Sequence, residues 1–304
     1  MDLRHLRCFL AVAQELHFAR AAERLHIEQS PLSRTIKELE EDLGVQLFIR
    51  TTRSTRLTRA GQLFLQHTPR IFIAVQQARE SARAAARGFH DQLRVALSDG
   101  MPPAIFANFL AQCRLEEPEV DVRLHRAALA QQVKGLVEDL YDVGFAGSGD
   151  VGEQLVADPV WHDPLMVAVP SRHPLLSFKA VPLEELLRYP LVLPDLEVFE
   201  GYAQQIDRVL RRIDCEPIVA ERVGSIDLMM ALVAAGFALA LLGSNQFATA
   251  RESGVIARPL GERSPVLTTY LLRRADHGQD TLRSFLARTG LGVSEAGPSD
   301  GRGS

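Results

Sequence analysis

The feature that most narrows the possible folds is a capped amphipathic helix near the start of the chain, followed at once by a short run dense in arginine. Ser30 offers an N-cap oxygen, and Pro31 falls at the first helical position, where its missing N–H costs nothing. Leu32, Ile36, Leu39 and Leu43 then follow at i, i+4, i+7 and i+11, and Gly44 ends the run. Ser33, Arg34 and Lys37 fall on a different side, which must face solvent. Upstream, Leu3, Leu6, Phe9, Leu10 and Ala13 recur at helical spacing, and a second short helix is expected from Phe18 to Leu25, inner side Ala21, Ala22 and Leu25. His26, Ile27 and Glu28 leave room only for a tight connection. A short helix, a tight turn and a capped helix with a cationic first half is the geometry that carries the second helix end-on into a major groove. Gln29, Ser30, Ser33, Arg34 and Lys37 are therefore the candidate reading residues, with arginine able to bind guanine through two bonds.

The next segment sharpens that expectation. Val45 to Leu57 is rich in β-branched residues and arginine and predicts a two-stranded wing, whose Arg50, Arg53 and Arg56 would meet the phosphates or the minor groove. Thr58 then caps a long helix to about Arg87, in which Ala60, Phe64, His67, Ile71, Ala74, Ala78, Ala82 and Ala85 recur at spacings of three or four. A lone helix has no core for such a stripe, so a partner helix and a homodimer with two reading units are expected.

Charge divides the chain the same way. The net charge of −4 hides residues 1–90 at +5 and residues 91–304 at −9, so the first part attracts nucleic acid and the second repels it.

At these residues the chain resembles a known family. Ala21-Ala22-Glu23-Arg24-Leu25-His26-Ile27, Gln29, Leu32-Ser33-Arg34, Ile36, Leu39-Glu40, Leu43-Gly44, Leu47-Phe48, Arg50 and Leu57-Thr58-Arg59-Ala60-Gly61 are similar to the N-terminal signature of the LysR-type transcriptional regulators. Two positions depart: Glu28 stands where the family commonly has serine, and Ser30-Pro31 where proline often follows the glutamine at once. The resemblance implies an α+β multidomain chain. Its parts would be a winged helix-turn-helix over 1–58, a dimerising linker helix over 59–88, and a two-lobed α/β effector domain, like the periplasmic binding proteins, over 89–292. Lobe I would take about 89–160 and 265–292 and lobe II about 161–264, leaving a disordered tail over 293–304. It further implies sequence-specific binding of double-stranded DNA by a homodimer or homotetramer, control by a small organic effector, and RNA polymerase as a partner of an activator.

The pattern after Gln92 agrees with the effector domain. Strands expected at Leu93–Leu97, Val120–Leu124, Val143–Ala146, Leu165–Val169, Leu191–Leu193, Ile218–Val223, Ala238–Leu242 and Leu267–Leu272 alternate with helices at about 103–113, 131–139, 202–212, 226–235 and 279–289. Ligands of such sheets bind where strands end and helices begin. The candidate effector contacts are therefore Ser98, Asp99, Gly100, Met101, Leu129, Phe145 and Ala146 on one side, and Pro194, Phe199, Gly224 and Ser225 on the other. The helix starts at Met101 and Ile226 favour an anion, whereas Asp99 and Asp195 oppose one. A small polar organic molecule is expected, carboxylic acids among the candidates.

Other function classes find little support. His162-Asp163 and Ser171-Arg172-His173 lack a third catalytic partner, and the glycines at 144, 147 and 149 do not have dinucleotide-binding spacing. Cys8, Cys113 and Cys215 match no metal spacing and are expected as reduced core thiols, so no metal or cofactor is expected. The longest apolar run, Met229 to Leu242, is too short for a bilayer and is interrupted by Gly236, and the amphipathic start is no export signal, so a cytoplasmic protein is expected. The remaining rival is an architectural DNA-binding protein without ligand sensing.

Overall fold

The first helix, α1 (Leu3–Glu15), starts on a reciprocal cap: the Asp2 carboxylate accepts from the N–H groups of Arg4 and His5 while the His5 ring reaches back to the Asp2 N–H. These contacts hold the Asp2 carboxyl down at about 2, the His5 backbone N–H contributing most. In the computed structural model, residues 1–50, 55–249, 254–275 and 280–289 are described, and they form two compact units, Met1–Arg83 and Ala84–Ser304.

In the first unit, α2 (Phe18–Leu25) and α3 (Gln29–Leu43) follow, joined by a turn in which His26 takes the left-handed conformation at φ 54° and Ile27 donates to the Ala22 carbonyl. The turn brings Leu32, Ile36 and Leu39 of α3, all fully buried, against Phe9 and Val12 of α1. The hairpin β1 (Phe48–Arg50) and β2 (Thr55–Leu57) pairs Phe48 with Leu57 and Arg50 with Thr55. Phe48 packs its ring 5.4 Å from that of Phe9, which closes the core. Helix α4 (Arg59–Ala85) begins as Thr58 accepts from the Gly61 N–H at 2.9 Å. A side chain at 61 would sit 2.1 Å from the Leu47 carbonyl oxygen, so only glycine lets α4 approach the wing. Pro69 lies inside α4 and Ala60 and Phe64 join the core, whereas Ala74, Ala78 and Ala82 are exposed.

The second unit holds β3 (Asp91–Leu97), α5 (Pro103–Glu116), β4 (Val120–Arg126), α6 (Leu129–Val137), β5 (Val143–Ala146) and β6 (Leu155–Pro170). After them come α7 (Leu183–Leu186), β7 (Leu191–Pro194), α8 (Glu200–Leu210), β8 (Val219–Val223), α9 (Ile226–Ala234), β9 (Leu239–Gly243), α10 (Ser244–Thr249), β10 (Val255–Pro259), β11 (Val266–Arg274) and α11 (Asp280–Arg288). Strands run in the order β4-β3-β5-β11-β6-β9-β7-β8, with β10 beside β6. Two parallel sets, β4-β3-β5 and β9-β7-β8, form the two lobes, and β5, β7 and β9 are buried along their whole length, as parallel strands covered on both faces must be. The antiparallel pair β6 and β11 joins the lobes, aligned from Leu155 with Arg274 to Pro164 with Val266.

Strand β6 is far longer than the expected Leu165–Val169. Asp158-Pro159 and Asp163-Pro164 look like turn signals in sequence, yet the strand absorbs both prolines, the first beside a register shift at Thr269/Tyr270. Helix α10 and strand β10 were not expected either; both are short segments interrupted by polar residues. The start of α3 also differs: its cap is Glu28, with no side-chain bond, so Ser30 and Pro31 lie in the first turn, where N–H groups are unpaired in any case. The expected tail over 293–304 lies outside the described residues.

Candidate functional site

On α3, Gln29, Ser30, Arg34 and Lys37 are exposed, and with half-buried Ser33 they line one shallow surface depression. The burial of Leu32, Thr35, Ile36 and Leu39 on the other side fixes this face outward. Arg34 has no partner among the described residues, and Lys37 has only the Glu41 carboxylate one turn on, 3.4 Å away. The face therefore offers hydroxyls, an amide and two solvated cations, the set that reads base edges and phosphates.

Arg50 differs from the expectation of a free phosphate ligand. Its guanidinium donates to Ser33 Oγ at 3.1 Å and to Glu40 Oε2 at 3.0 Å, and it lies 4.6 Å from the centre of the Phe18 ring. Glu40 completes the knot, its Oε1 accepting from the N–H groups of Leu47 and Phe48 at 2.8 and 3.1 Å. One carboxylate thus fastens the hairpin to α3. Sequence reasoning missed this role, although Glu40 stands one turn before Gly44 on an otherwise exposed side. Arg56 is exposed on β2, and Arg53 lies outside the described residues.

The second unit has its candidate site between the lobes. Ser98 donates to the Phe145 carbonyl at 3.2 Å, Asp99 pairs with Arg126 at 2.8 Å, and Gly100, at φ 85°, offers its carbonyl to Gln246 Nε2. From the other lobe, Phe199 and Tyr202 come against Gly100: a side chain there would meet Tyr202 Cδ2 at 2.7 Å and Phe199 Cδ1 at 3.0 Å. Tyr202 is buried, its hydroxyl 2.7 Å from Thr269 Oγ1, and burial pushes its phenol pKa up so that it stays neutral. Met101 packs at the edge of the lobe I core, and Gly224 lies 3.2 Å from Val198 by the same measure while Ser225 caps α9.

Four other expected contacts turn their side chains elsewhere. Phe145 is fully buried and stacked on Trp161 at 4.9 Å, Ala146 and Leu129 join the cluster on the opposite sheet face, and Pro194 is buried with its carbonyl bound to Arg222 at 3.0 Å. The reason is the covered sheet: strand residues send side chains into one core or the other, leaving only backbone at the strand ends. Gly147, expected here with Phe145 and Ala146, does lie at this boundary, whereas Tyr202, Gln205, Gln246 and Thr269 are the residues that sequence reasoning missed. Gln205 bridges to the Gly147 carbonyl at 2.6 Å and to both backbone groups of Thr268, at 2.8 and 2.7 Å.

The residues weighed for catalysis have other jobs. Asp163 is buried and accepts from Asn245 N and Nδ2, His162 is exposed beside Thr268, and His173 caps a short 3-10 turn at Pro174–Ser177. Burial lowers the His173 pKa. Cys8 and Cys113 are buried as expected, but Cys215 is exposed. Among the described residues no cluster of metal-binding side chains is found, and no helix is long and apolar enough to cross a membrane.

Comparison with known proteins joins these sites. Residues 3–62 match the family profile "Bacterial regulatory helix-turn-helix protein, lysR family", and residues 86–289 match "LysR substrate binding domain". The chain is 33% identical over 280 residues to the HTH-type transcriptional regulator YnfL of Escherichia coli (strain K12), covering 92% of this chain and 94% of that one. It is 33% identical to the regulator XapR of the same organism, covering 87% and 89%. Among solved structures, full-length CbnR complexed with its target DNA superimposes with a TM-score of 0.72 at 27% identity, over 95% of this chain and 99% of that one. With a DNA-binding helix-turn-helix at one end and an effector-binding, two-lobed domain at the other, this chain belongs to the LysR family of transcriptional regulators.

Proposed function

We propose that the chain reads double-stranded DNA through Gln29, Ser30, Ser33, Arg34 and Lys37 in the major groove, with Arg53 and Arg56 on flanking phosphates and Arg50 holding the wing in place. The observation that carries this reading is the outward face of α3, which keeps Arg34 and Lys37 in solvent while its opposite face is fully buried. Because the Ser33 hydroxyl accepts from Arg50, its own proton is left to point toward an acceptor outside the protein.

In this reading residues 1–58 recognise DNA, 59–88 pair with a second copy, and 89–292 respond to the effector. The exposed alanines at 74, 78 and 82 of α4 support a homodimer, from which a tetramer can be built through the effector domains. The effector is a small polar organic molecule, with carboxylic acids the first class to screen, taken up at the lobe boundary near Ser98, Gly100, Phe199 and Ser225. Its binding changes the placement of paired reading units and so DNA bending and the recruitment of RNA polymerase. The chain works in the cytoplasm and acts by binding, with no catalytic step.

The test is a mobility-shift titration at physiological salt comparing the upstream region of the chain's own coding sequence with random DNA. A preference of about a thousandfold is expected; equal affinities would leave only an architectural DNA-binding protein.

A further inference from the structure

The boundary between the lobes is closed by the chain's own side chains. Gly147 and Gly201 have ordinary negative φ, so their backbones do not demand glycine. What demands it is contact: a side chain at 147 would lie 2.7 Å from Tyr202 N and 2.8 Å from Tyr202 Cδ2, and one at 201 would lie 2.4 Å from the Gly147 carbonyl carbon. Together with Gly100, three glycines let the start of α8 press its backbone and the Tyr202 ring onto lobe I. The polar groups exposed along that line are also taken. Gln246 donates to the Gly100 carbonyl, Gln205 to the Gly147 carbonyl, and the Tyr202 hydroxyl bonds the Thr269 hydroxyl.

We propose that Tyr202 is a self-supplied ligand of the inter-lobe cleft, a latch whose phenol ring occupies the cradle formed by Gly100, Gly147, Phe199 and Thr269, and that the effector acts by displacing it. The cradle then describes its visitor. Two glycine backbones present no side chain, Phe199 offers one ring edge, and a hydroxyl stands at the far end, so the geometry selects a flat ring carrying one hydrogen-bonding group. The resting state of the effector domain is closed, and the signal is the release of α8 from lobe I. The inference rests on the reading of this boundary as the effector site.

The test uses the full chain and 4-methylphenol, which is the tyrosine side chain as a free molecule. Tyr202→Ala is expected to speed amide exchange about tenfold over 98–101 and 145–149 while the strand 120–126 is unchanged. Millimolar 4-methylphenol should reverse that change, raise the melting temperature of the variant and not that of the wild type, and alter the variant's footprint on operator DNA. Unchanged exchange in Tyr202→Ala, or no response to 4-methylphenol, overturns the latch. A thermal response without any change in footprint reduces the cradle to packing and overturns it as a regulatory device. Should Tyr202→Ala fail to fold, Tyr202→Phe removes only the bond to Thr269; faster exchange confined to the same two segments supports the latch, and uniform or absent change overturns it. Loss of operator preference by the wild type would instead strike the regulator reading, so the two failures are distinguishable.

Discussion

Beyond Arg50, which Glu40 holds, and Arg20 and Arg24, which reach Glu15, the two units place arginine differently. In the second, Arg94 grips Asp142 through Nε at 3.0 Å and Nη2 at 2.5 Å, Arg222 binds Asp207 at 3.2 Å, Arg273 binds Asp158 at 3.0 Å, and Arg288 engages Glu116 and Glu117. In the first, Arg34 stands in solvent without a partner among the described residues, and Arg56 is exposed on the wing. The same side chain stabilises a fold when a carboxylate meets it under cover, and serves recognition when none does. Net charge alone conceals this, because each neutralised pair in the acidic region adds nothing to it.

The contrast can be broken at several points. The largest effect is expected from Asp142→Ala, which strands the Arg94 guanidinium in a nearly closed environment. It should cost about 3–5 kcal/mol and lower the melting of the effector unit by roughly 10 °C, with operator affinity at low temperature unchanged. Differential scanning calorimetry gives the answer, and a melting temperature within a degree or two of wild type would show that pairing there carries little stability. Arg34→Ala should leave melting alone but cost about 1–3 kcal/mol of operator affinity and relax the choice of base at one position. Quantitative footprinting against single-base operator variants measures it; retained preference at every position would move the reading face elsewhere. Thr58→Ala removes the cap of α4 and is expected to cost about 1 kcal/mol in the first unit, read by urea titration of residues 1–83 followed through their helix signal. Arg56→Ala should weaken all DNA sequences alike by a few fold and reduce the slope of log affinity against log salt by about one. A sequence-dependent loss there would make the wing a reader and not a clamp.

Most of the first unit was legible because its signals are local. Helical spacing found α1 and α2, and cap chemistry found α3 to within two residues; the miss at Glu28 arose because Ser30 is a good cap in general while Pro31 tolerates any place in a first turn. In the second unit, uniform apolar runs such as Val143–Ala146 and Leu239–Leu242 announced buried strands. Where two Asp-Pro steps interrupt β6, turn chemistry outvoted a strand that only its long-range pairing with β11 sustains. The candidate site was legible where one helix carries it and poorly so where it is assembled. Ser33 and Arg34 share a face by periodicity alone. Tyr202 and Thr269 are 67 residues apart, and nothing near either announces the other. Strand-end logic led to loops at the lobe boundary but assigned Phe145 and Pro194 to the cleft, when the covered sheet draws both inward.

The carboxylate of Glu40 has one more consequence. Because it accepts from the amides of Leu47 and Phe48 and from the guanidinium of Arg50, Glu40 ties both ends of β1 to helix α3. A change in the distance from β1 to α3 would have to break these bonds, so differences in groove width are expected to fall on the duplex.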